Sequence, residues 1–238
     1  MSKKVSRKGE AKEVIYDAQR WRAVHEKRSS ALQIMRILDS SGLECITHGS
    51  IARGDVSQKS DVDIAFLSPI SSFRIQTALE VSGLEIKKRI IVQATPKSTP
   101  KGYFILDPLE QLTVSLPLAK LSTTEVEFYY FGGAISLDDL ESGARVRGVD
   151  KRLMLIEPTE FGHIESSIRG RESEVAARLN ISMGTISERV RVLTRRDNIG
   201  RTGTVLNLEL KVGEAFEQIM ERIAARNLIL RRMLLRRR

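Results

Sequence analysis

An α/β fold with a mixed sheet, followed by a mostly helical and strongly basic C-terminal module, is the architecture this sequence predicts. Two observations carry it. Up to Pro158, short runs rich in Val, Ile, Phe and Tyr alternate with helical runs, with Gly, Pro and Ser between them. Beyond Pro158 the chain turns to amphipathic helical segments separated by Gly and Asn, and it closes on Arg236-Arg237-Arg238. A hydrophobic fraction of 41% is that of a globular chain and excludes a disordered one.

The elements follow in order. A helix is expected over Glu10 to Ser40, where Gly and Pro are absent and Val14, Ala18, Trp21, Leu32, Met35 and Leu38 recur at helical intervals. Ser40-Ser41-Gly42 ends it, and Leu43 to Thr47 reads as a strand. Val62 to Leu67 is a second strand, closed by Ser68-Pro69, and Ser72 to Val81 a helix before Gly83. Ile86 to Ala94 and Tyr103 to Leu106 are strands on either side of a loop carrying Lys and Pro. Ser122-Thr-Thr-Glu125 has capping-box spacing and Gly132-Gly133 supplies a stop, which predicts a helix over Thr123 to Phe131. Arg152 to Ile156 is a strand ended by Glu157-Pro158.

Thirty-nine Lys and Arg against 30 Asp and Glu leave a net charge of +9, which favours polyanionic partners such as nucleic acid or nucleotide phosphates. A single cysteine, Cys45, excludes an internal disulfide and fits a reducing compartment. The opening MSKKVSRKGEAKE has no apolar signal core, and no apolar run approaches the roughly 20 residues that span a bilayer. A cytoplasmic protein without a membrane anchor is expected.

The stretch HGSIARGDVSQKSDVDIAFL, His48 to Leu67, holds the chemistry. Residues two apart on a strand share a face, so Asp61 and Asp63 project together while Val62 and Ile64 face the other way. Paired carboxylates repel, a cost offset by a divalent cation between them. Magnesium takes hard oxygen ligands, commonly one or two carboxylates plus substrate phosphates. A Gly directly after a strand permits a tight turn against phosphate oxygens; Ser50 adds a hydroxyl donor and Arg53 a positive charge. Any helical turn beginning at Ser50 would aim free amides at an anion.

Gly49-Ser50, ten intervening residues and Asp61-Val62-Asp63-Ile64 resemble the signature of the DNA polymerase β nucleotidyltransferase superfamily. The fuller Gly-Ser-Ile-Ala-Arg-Gly-Asp…Ser-Asp-Val-Asp is especially similar to its minimal prokaryotic members. The resemblance implies a nucleotidyltransferase fold, with Gly49 and Ser50 holding a nucleoside triphosphate, ATP being the expected one, and Asp61 and Asp63 holding magnesium as a pair of ions. It also implies a third carboxylate on a neighbouring strand. Asp107, at the end of Tyr-Phe-Ile-Leu, is the first candidate, with Glu85 and Glu127 as alternatives.

ESEVAARLNISMGTISERVRVLTRRD is the second informative stretch. Val175, Ala176, Leu179, Ile186, Val190 and Leu193 fall on helical faces, interrupted at Asn180-Ile181-Ser182, where Ser182 is placed to cap the next helix. It resembles a winged helix-turn-helix. Thr159 to Ile168 would be the first helix, and Asn198 to Gly203 with the strand Thr204 to Leu210 the wing. In such a unit Thr185, Ser187, Glu188 and Arg189 lie nearest base edges, while Arg191, Arg195, Arg196 and Arg201 meet phosphates. The expected organisation is thus a nucleotidyltransferase domain at 1–157 with its N-terminal helix, a winged helix-turn-helix at 158–211 and a basic helix at 212–238. Phe216, Ile219, Met220, Ile223, Leu230 and Leu234 form an apolar stripe for the winged unit or a homodimer partner.

His48 and His163 lack companions at metal-ligand spacing, and Cys45 reads as a small buried side chain. The functional expectation is transfer of a nucleoside monophosphate to a macromolecular acceptor, a protein hydroxyl or nucleic acid. The competing expectations are a DNA-binding transcriptional regulator that senses nucleotide without transferring it, and an antitoxin-like partner that modifies a cognate toxin.

Overall fold

The computed structural model describes residues 11–200 and 203–235. In chain order it runs β1 (Lys12–Ile15), α1 (Ala18–Ser40), β2 (Ile46–His48), α2 (Ser50–Arg53), β3 (Val62–Ala65), α3 (Ser72–Val81), β4 (Lys88–Gln93), β5 (Lys101–Ile105) and β6 (Leu112–Pro117). Then come α4 (Thr123–Phe131), β7 (Ala134–Ile135), α5 (Leu137–Glu141), β8 (Gly148–Val149), β9 (Met154–Thr159), β10 (Gly162–Ser167), α6 (Glu172–Leu179), α7 (Met183–Ile199), β11 (Leu206–Glu209), α8 (Phe216–Ala224) and α9 (Leu228–Leu235). The mixed α/β class is as expected. Among the described residues, 11–30, 47–60 and 123–200 form one compact unit, and 31–46, 61–122 and 203–235 form another.

The second unit is built on strands in the order β11-β4-β5-β6-β3. β3 and β6 are parallel, with Val62 opposite Leu112 and Asp63 opposite Thr113; the other pairs are antiparallel. β6 has no counterpart among the strands expected from sequence. All its residues from Thr113 to Pro117 are buried, so it lacks the polar alternation that marks a half-exposed strand. Gly102 leaves room on β5 for its neighbours, since a Cβ there would stand 2.9 Å from Leu116 and 3.0 Å from the Phe216 ring.

The C-terminal segment belongs to this core. Phe216 is 1% exposed and meets Phe104 edge-to-face at 5.2 Å. Ile219, Met220 and Leu230 are also buried, while Ile223 and Leu234 of the same stripe are half-buried. Glu217 of α8 accepts from the backbone N–H of Ser72 at 2.9 Å and from its hydroxyl at 2.6 Å, which supplies the first turn of α3 with the acceptors it lacks. Arg89 of β4 donates to the carbonyls of Lys211 and Glu214, both at 2.7 Å. The single expected C-terminal helix is two, α8 and α9, separated at Ala225-Arg226-Asn227.

The first unit holds a four-stranded sheet in the order β1-β10-β9-β8. Its core joins Phe131, Val149, Leu153, Leu155 and Ile168 to Val175, Ile181, Ile186 and Leu193 of the α6–α7 hairpin. The helix expected from Glu10 therefore starts with a strand, β1, which pairs antiparallel with β10. Gly162 makes that pairing close: a Cβ there would lie 1.9 Å from the Val14 carbonyl oxygen.

Three features of the expected winged helix-turn-helix are corrected. Thr159 to Ile168 is not a helix but the end of β9 and strand β10, joined in an antiparallel hairpin. The strand expected as a wing is β11, which pairs with β4 in the other unit's sheet. The boundary expected at Pro158 falls inside β9. The α6–turn–α7 hairpin does form, with Asn180 left-handed at φ 52° and Ser182 capping α7. Among the described residues no helix is long and apolar enough to cross a membrane.

Candidate active site

Asp61 and Asp63 stand at the start of β3. The burial pattern from Asp61 to Ile64 alternates, with Asp61 exposed, Asp63 half-buried, and Val62 and Ile64 no more than 2% exposed. Pairing begins at Val62, whose N–H donates to the Gln111 carbonyl at 2.6 Å. The alternation puts the two carboxylates on one side and the aliphatic residues in the core. Asp63 Oδ1 accepts the Thr113 hydroxyl at 2.7 Å across the parallel register. On the next row of that face, Ser115 donates to the Ile64 carbonyl at 3.2 Å. Sequence reasoning missed Thr113 because it missed β6.

Asp107 is placed in the turn between β5 and β6. Its Oδ2 accepts from the Leu109 N–H at 3.1 Å and its Oδ1 from the Leu112 N–H at 2.6 Å. Aspartate at the head of a turn does this routinely, and the two amides account for its position after an apolar run. Glu85 bonds Lys87. Glu127 caps α7, as described below. Among the described residues no group of three or more His, Cys, Asp or Glu could hold a metal ion.

Gly49 adopts φ 71°, ψ −138°, a conformation reserved in practice for glycine, and α2 begins at Ser50. The Gly49 N–H donates to the Gly133 carbonyl at 2.8 Å. Gly148 presses on the same Gly132-Gly133 segment, since a Cβ there would lie 2.5 Å from the Gly133 nitrogen. Arg28 reinforces the turn by donating to the carbonyls of Ile51 at 2.8 Å and Ala144 at 2.6 Å. The Gly-Ser turn is thus held from behind by backbone.

Arg53 corrects an expectation. It is 5% exposed and turned inward, donating to the Gly132 carbonyl at 2.5 Å and to Asp55 at 3.0 Å. A guanidinium committed to the half-buried Asp55 carboxylate and a carbonyl braces the turn. Arg145 has a similar office: it donates to the Gly162 carbonyl at 3.0 Å and to the Thr159 carbonyl, and lies over the Trp21 ring.

The base-reading assignments on α7 are also corrected in part. Thr185 is fully buried, and its hydroxyl bonds Glu127 of α4. Arg189 lies over the Phe128 ring at 4.7 Å, and burial lowers its pKa to about 10. Both residues face α4, Thr185 buried and Arg189 half-buried. Ser187, Glu188, Arg191, Arg195 and Arg196 are exposed on α7; Arg201 and Arg236-Arg237-Arg238 lie outside the described residues.

Glu127 joins α4 to the start of α7 by accepting from Ser182 Oγ at 2.6 Å and from Thr185. These hydroxyls, Ser182 first, hold its carboxyl below the ordinary carboxylate range. A depressed folded pKa makes this contribution full above the unfolded pKa and lost as pH falls through the folded one. Hydrogen-exchange protection of the Thr185 and Ile186 amides is therefore expected to drop as pH falls below about 4. Glu127→Gln is expected to remove that pH dependence; pH-independent protection in the wild type would contradict the assignment.

The remaining candidates have ordinary roles. His48 meets Tyr129 edge-on at 4.9 Å, and His163 Nδ1 is 2.6 Å from the Tyr16 hydroxyl. Burial pushes the thiol of half-buried Cys45 up to about 12.

Comparison with known proteins bears on the same stretch. No curated protein and no solved structure gives a significant match. Residues 29–116 match the model of the nucleotidyltransferase domain family. That segment holds Gly49, Ser50, Asp61, Asp63 and Thr113, and the match supports the resemblance to the nucleotidyltransferase superfamily over those residues.

Proposed function

We propose that this protein is a magnesium-dependent nucleotidyltransferase that moves a nucleoside monophosphate from a nucleoside triphosphate, ATP first, to a macromolecular acceptor, releasing pyrophosphate. The observation that carries the reading is the paired carboxylates Asp61 and Asp63 at the head of β3, on one face of a strand whose other face is core. They lie within the segment matched by the nucleotidyltransferase domain.

The donor set suits magnesium. Two hard carboxylates are what magnesium takes from a protein when triphosphate oxygens and water complete its octahedron. With Thr113 beside Asp63, and Asp107 bonded to the amides of its own turn, the proposed complement is one ion on Asp61 and Asp63 rather than a pair on three carboxylates. A bound ion of this kind neutralises charge on the phosphoryl oxygens and favours ionisation of an acceptor hydroxyl. The chain's own contribution is positional. Asp61 and Asp63 orient the ion, and the Gly49-Ser50 turn offers a backbone without a side chain at its apex and a hydroxyl beside it for phosphate. The residues proposed to act are Gly49, Ser50, Asp61 and Asp63, with Arg53 bonded to Asp55 and the Gly132 carbonyl and Asp107 to the amides of its own turn.

A protein hydroxyl is the acceptor suggested by the resemblance to the minimal enzymes. Exposed Arg191, Arg195 and Arg196 on α7 favour a nucleic acid acceptor held by its phosphates, with no reading of base sequence. The test incubates the protein with each α-phosphate-labelled nucleoside triphosphate, with magnesium or with a chelator, in the presence of nucleic acid or cell protein. Label entering a macromolecule only with magnesium is expected. Nucleotide binding without incorporation under every condition would overturn the enzymatic reading.

A further inference from the structure

We propose that Thr113 is the positioning residue for Asp63: its hydroxyl fixes the carboxylate that presents the metal-binding oxygen. The inference rests on the reading of Asp61 and Asp63 as magnesium ligands.

The geometry is specific. Parallel pairing of β3 with β6 sets Thr113 directly opposite Asp63, and residues opposite one another project to the same face. Thr113 Oγ1 donates to Asp63 Oδ1 at 2.7 Å, and Thr113 is only 7% exposed. A β-branched side chain on a buried strand is stiff at χ1, so the hydroxyl is held in place before any ligand arrives. Ile105 stands opposite Thr113 on β5, continuing the same row with an apolar side chain. The position from which a carboxylate on β6 would project beside Asp63 therefore carries a neutral donor. A carboxylate there would add repulsion; a hydroxyl instead sets the plane of the Asp63 carboxylate, as outer groups around metal-ligating carboxylates do.

The test reads metal binding directly. Manganese binding to the nucleotide-free protein is followed by electron paramagnetic resonance in the wild type, Thr113→Val and Thr113→Ser, and magnesium-dependent transfer is measured alongside. Valine keeps the shape and the β preference of threonine but removes the hydroxyl. Thr113→Val is expected to weaken manganese binding by about 10- to 100-fold. The magnesium concentration for half-maximal transfer should rise by the same factor, with a smaller change in kcat at saturating magnesium. Thr113→Ser keeps the donor and is expected to stay within about 3-fold of wild type. In an Asp63→Asn background, Thr113→Val should have no further effect on manganese binding, since Thr113 acts only through Asp63. Thr113→Ala, which also removes the hydroxyl, reads out the proposal if the valine variant folds poorly, with the same loss of manganese binding expected.

Equal manganese affinity in wild type and Thr113→Val, with transfer intact in both, overturns the role of Thr113 and leaves the nucleotidyltransferase reading standing. A wild type that neither binds manganese nor transfers label overturns both. A full effect of Thr113→Val in the Asp63→Asn background overturns the inference alone, because the hydroxyl would then act elsewhere.

Discussion

Alanine at both Asp61 and Asp63 is expected to lower nucleotidyl transfer by about 10³-fold or more, the order set by losing several kcal/mol of charge stabilisation at the phosphoryl oxygens. The protein should still fold. Asp61 is exposed and Asp63 half-buried, while the core face of β3 rests on Val62 and Ile64, which the substitutions leave untouched. The paired readout is thermal denaturation with and without magnesium. A ligand that binds only the folded state raises the wild-type midpoint as its concentration exceeds Kd. The double variant should show no such rise. Transfer retained near the wild-type rate in the double variant would place the chemistry elsewhere in the chain.

Phe216→Ala is expected to destabilise the second unit by about 3–5 kcal/mol, the usual cost of emptying a buried aromatic site. Phe216 is 1% exposed and fills space between the Phe104 ring, edge-to-face at 5.2 Å, and the bare backbone of Gly102. A loss of that size is a large share of the roughly 5–15 kcal/mol that holds a domain together. Urea denaturation followed by circular dichroism should show a lower midpoint. A change under about 1 kcal/mol would mean that α8 is an appendage, as a basic C-terminal helix would be, rather than part of the core.

The contrast between those two sites shows what the sequence discloses. The catalytic proposal was legible because Gly49-Ser50 and Asp61-Val62-Asp63-Ile64 are local features, and strand alternation alone decides which side chains share a face. α3 was legible to the residue, Ser72–Val81, between Ser-Pro and Gly punctuation. What local patterns do not hold is the partner. Thr204 to Leu210 alternates as a strand, but nothing in it says that the strand pairs with β4 rather than forming a wing. Gly162 to Ser167 is a strand paired with β9 on one side and with β1 on the other, where Gly162 admits the Val14 carbonyl from more than a hundred residues away. β6 is buried on both faces, so its pattern is continuous and easily passed over, and with it went Thr113.

The arginines illustrate the same limit. Charge and spacing placed Arg53 near phosphates and Arg189 near bases, yet both turn inward, one to Asp55 and Gly132, the other onto Phe128. An arginine stem buries readily when a carbonyl, carboxylate or ring awaits its head, and no local rule reveals that such a partner is present. Asp107 illustrates the limit too, since its carboxylate takes the Leu109 and Leu112 amides of its own turn. A carboxylate after an apolar run is as well suited to collecting turn amides as to holding a cation.

The central claim concerns where a divalent ion sits, and paramagnetic broadening by manganese locates it most directly. Substoichiometric manganese is titrated into isotopically labelled protein while backbone amide resonances are followed. Selective loss of the amides of residues 61–64 on β3 and 112–114 on β6, before any others, is the predicted result. Broadening that begins elsewhere and spares those amides would contradict the account.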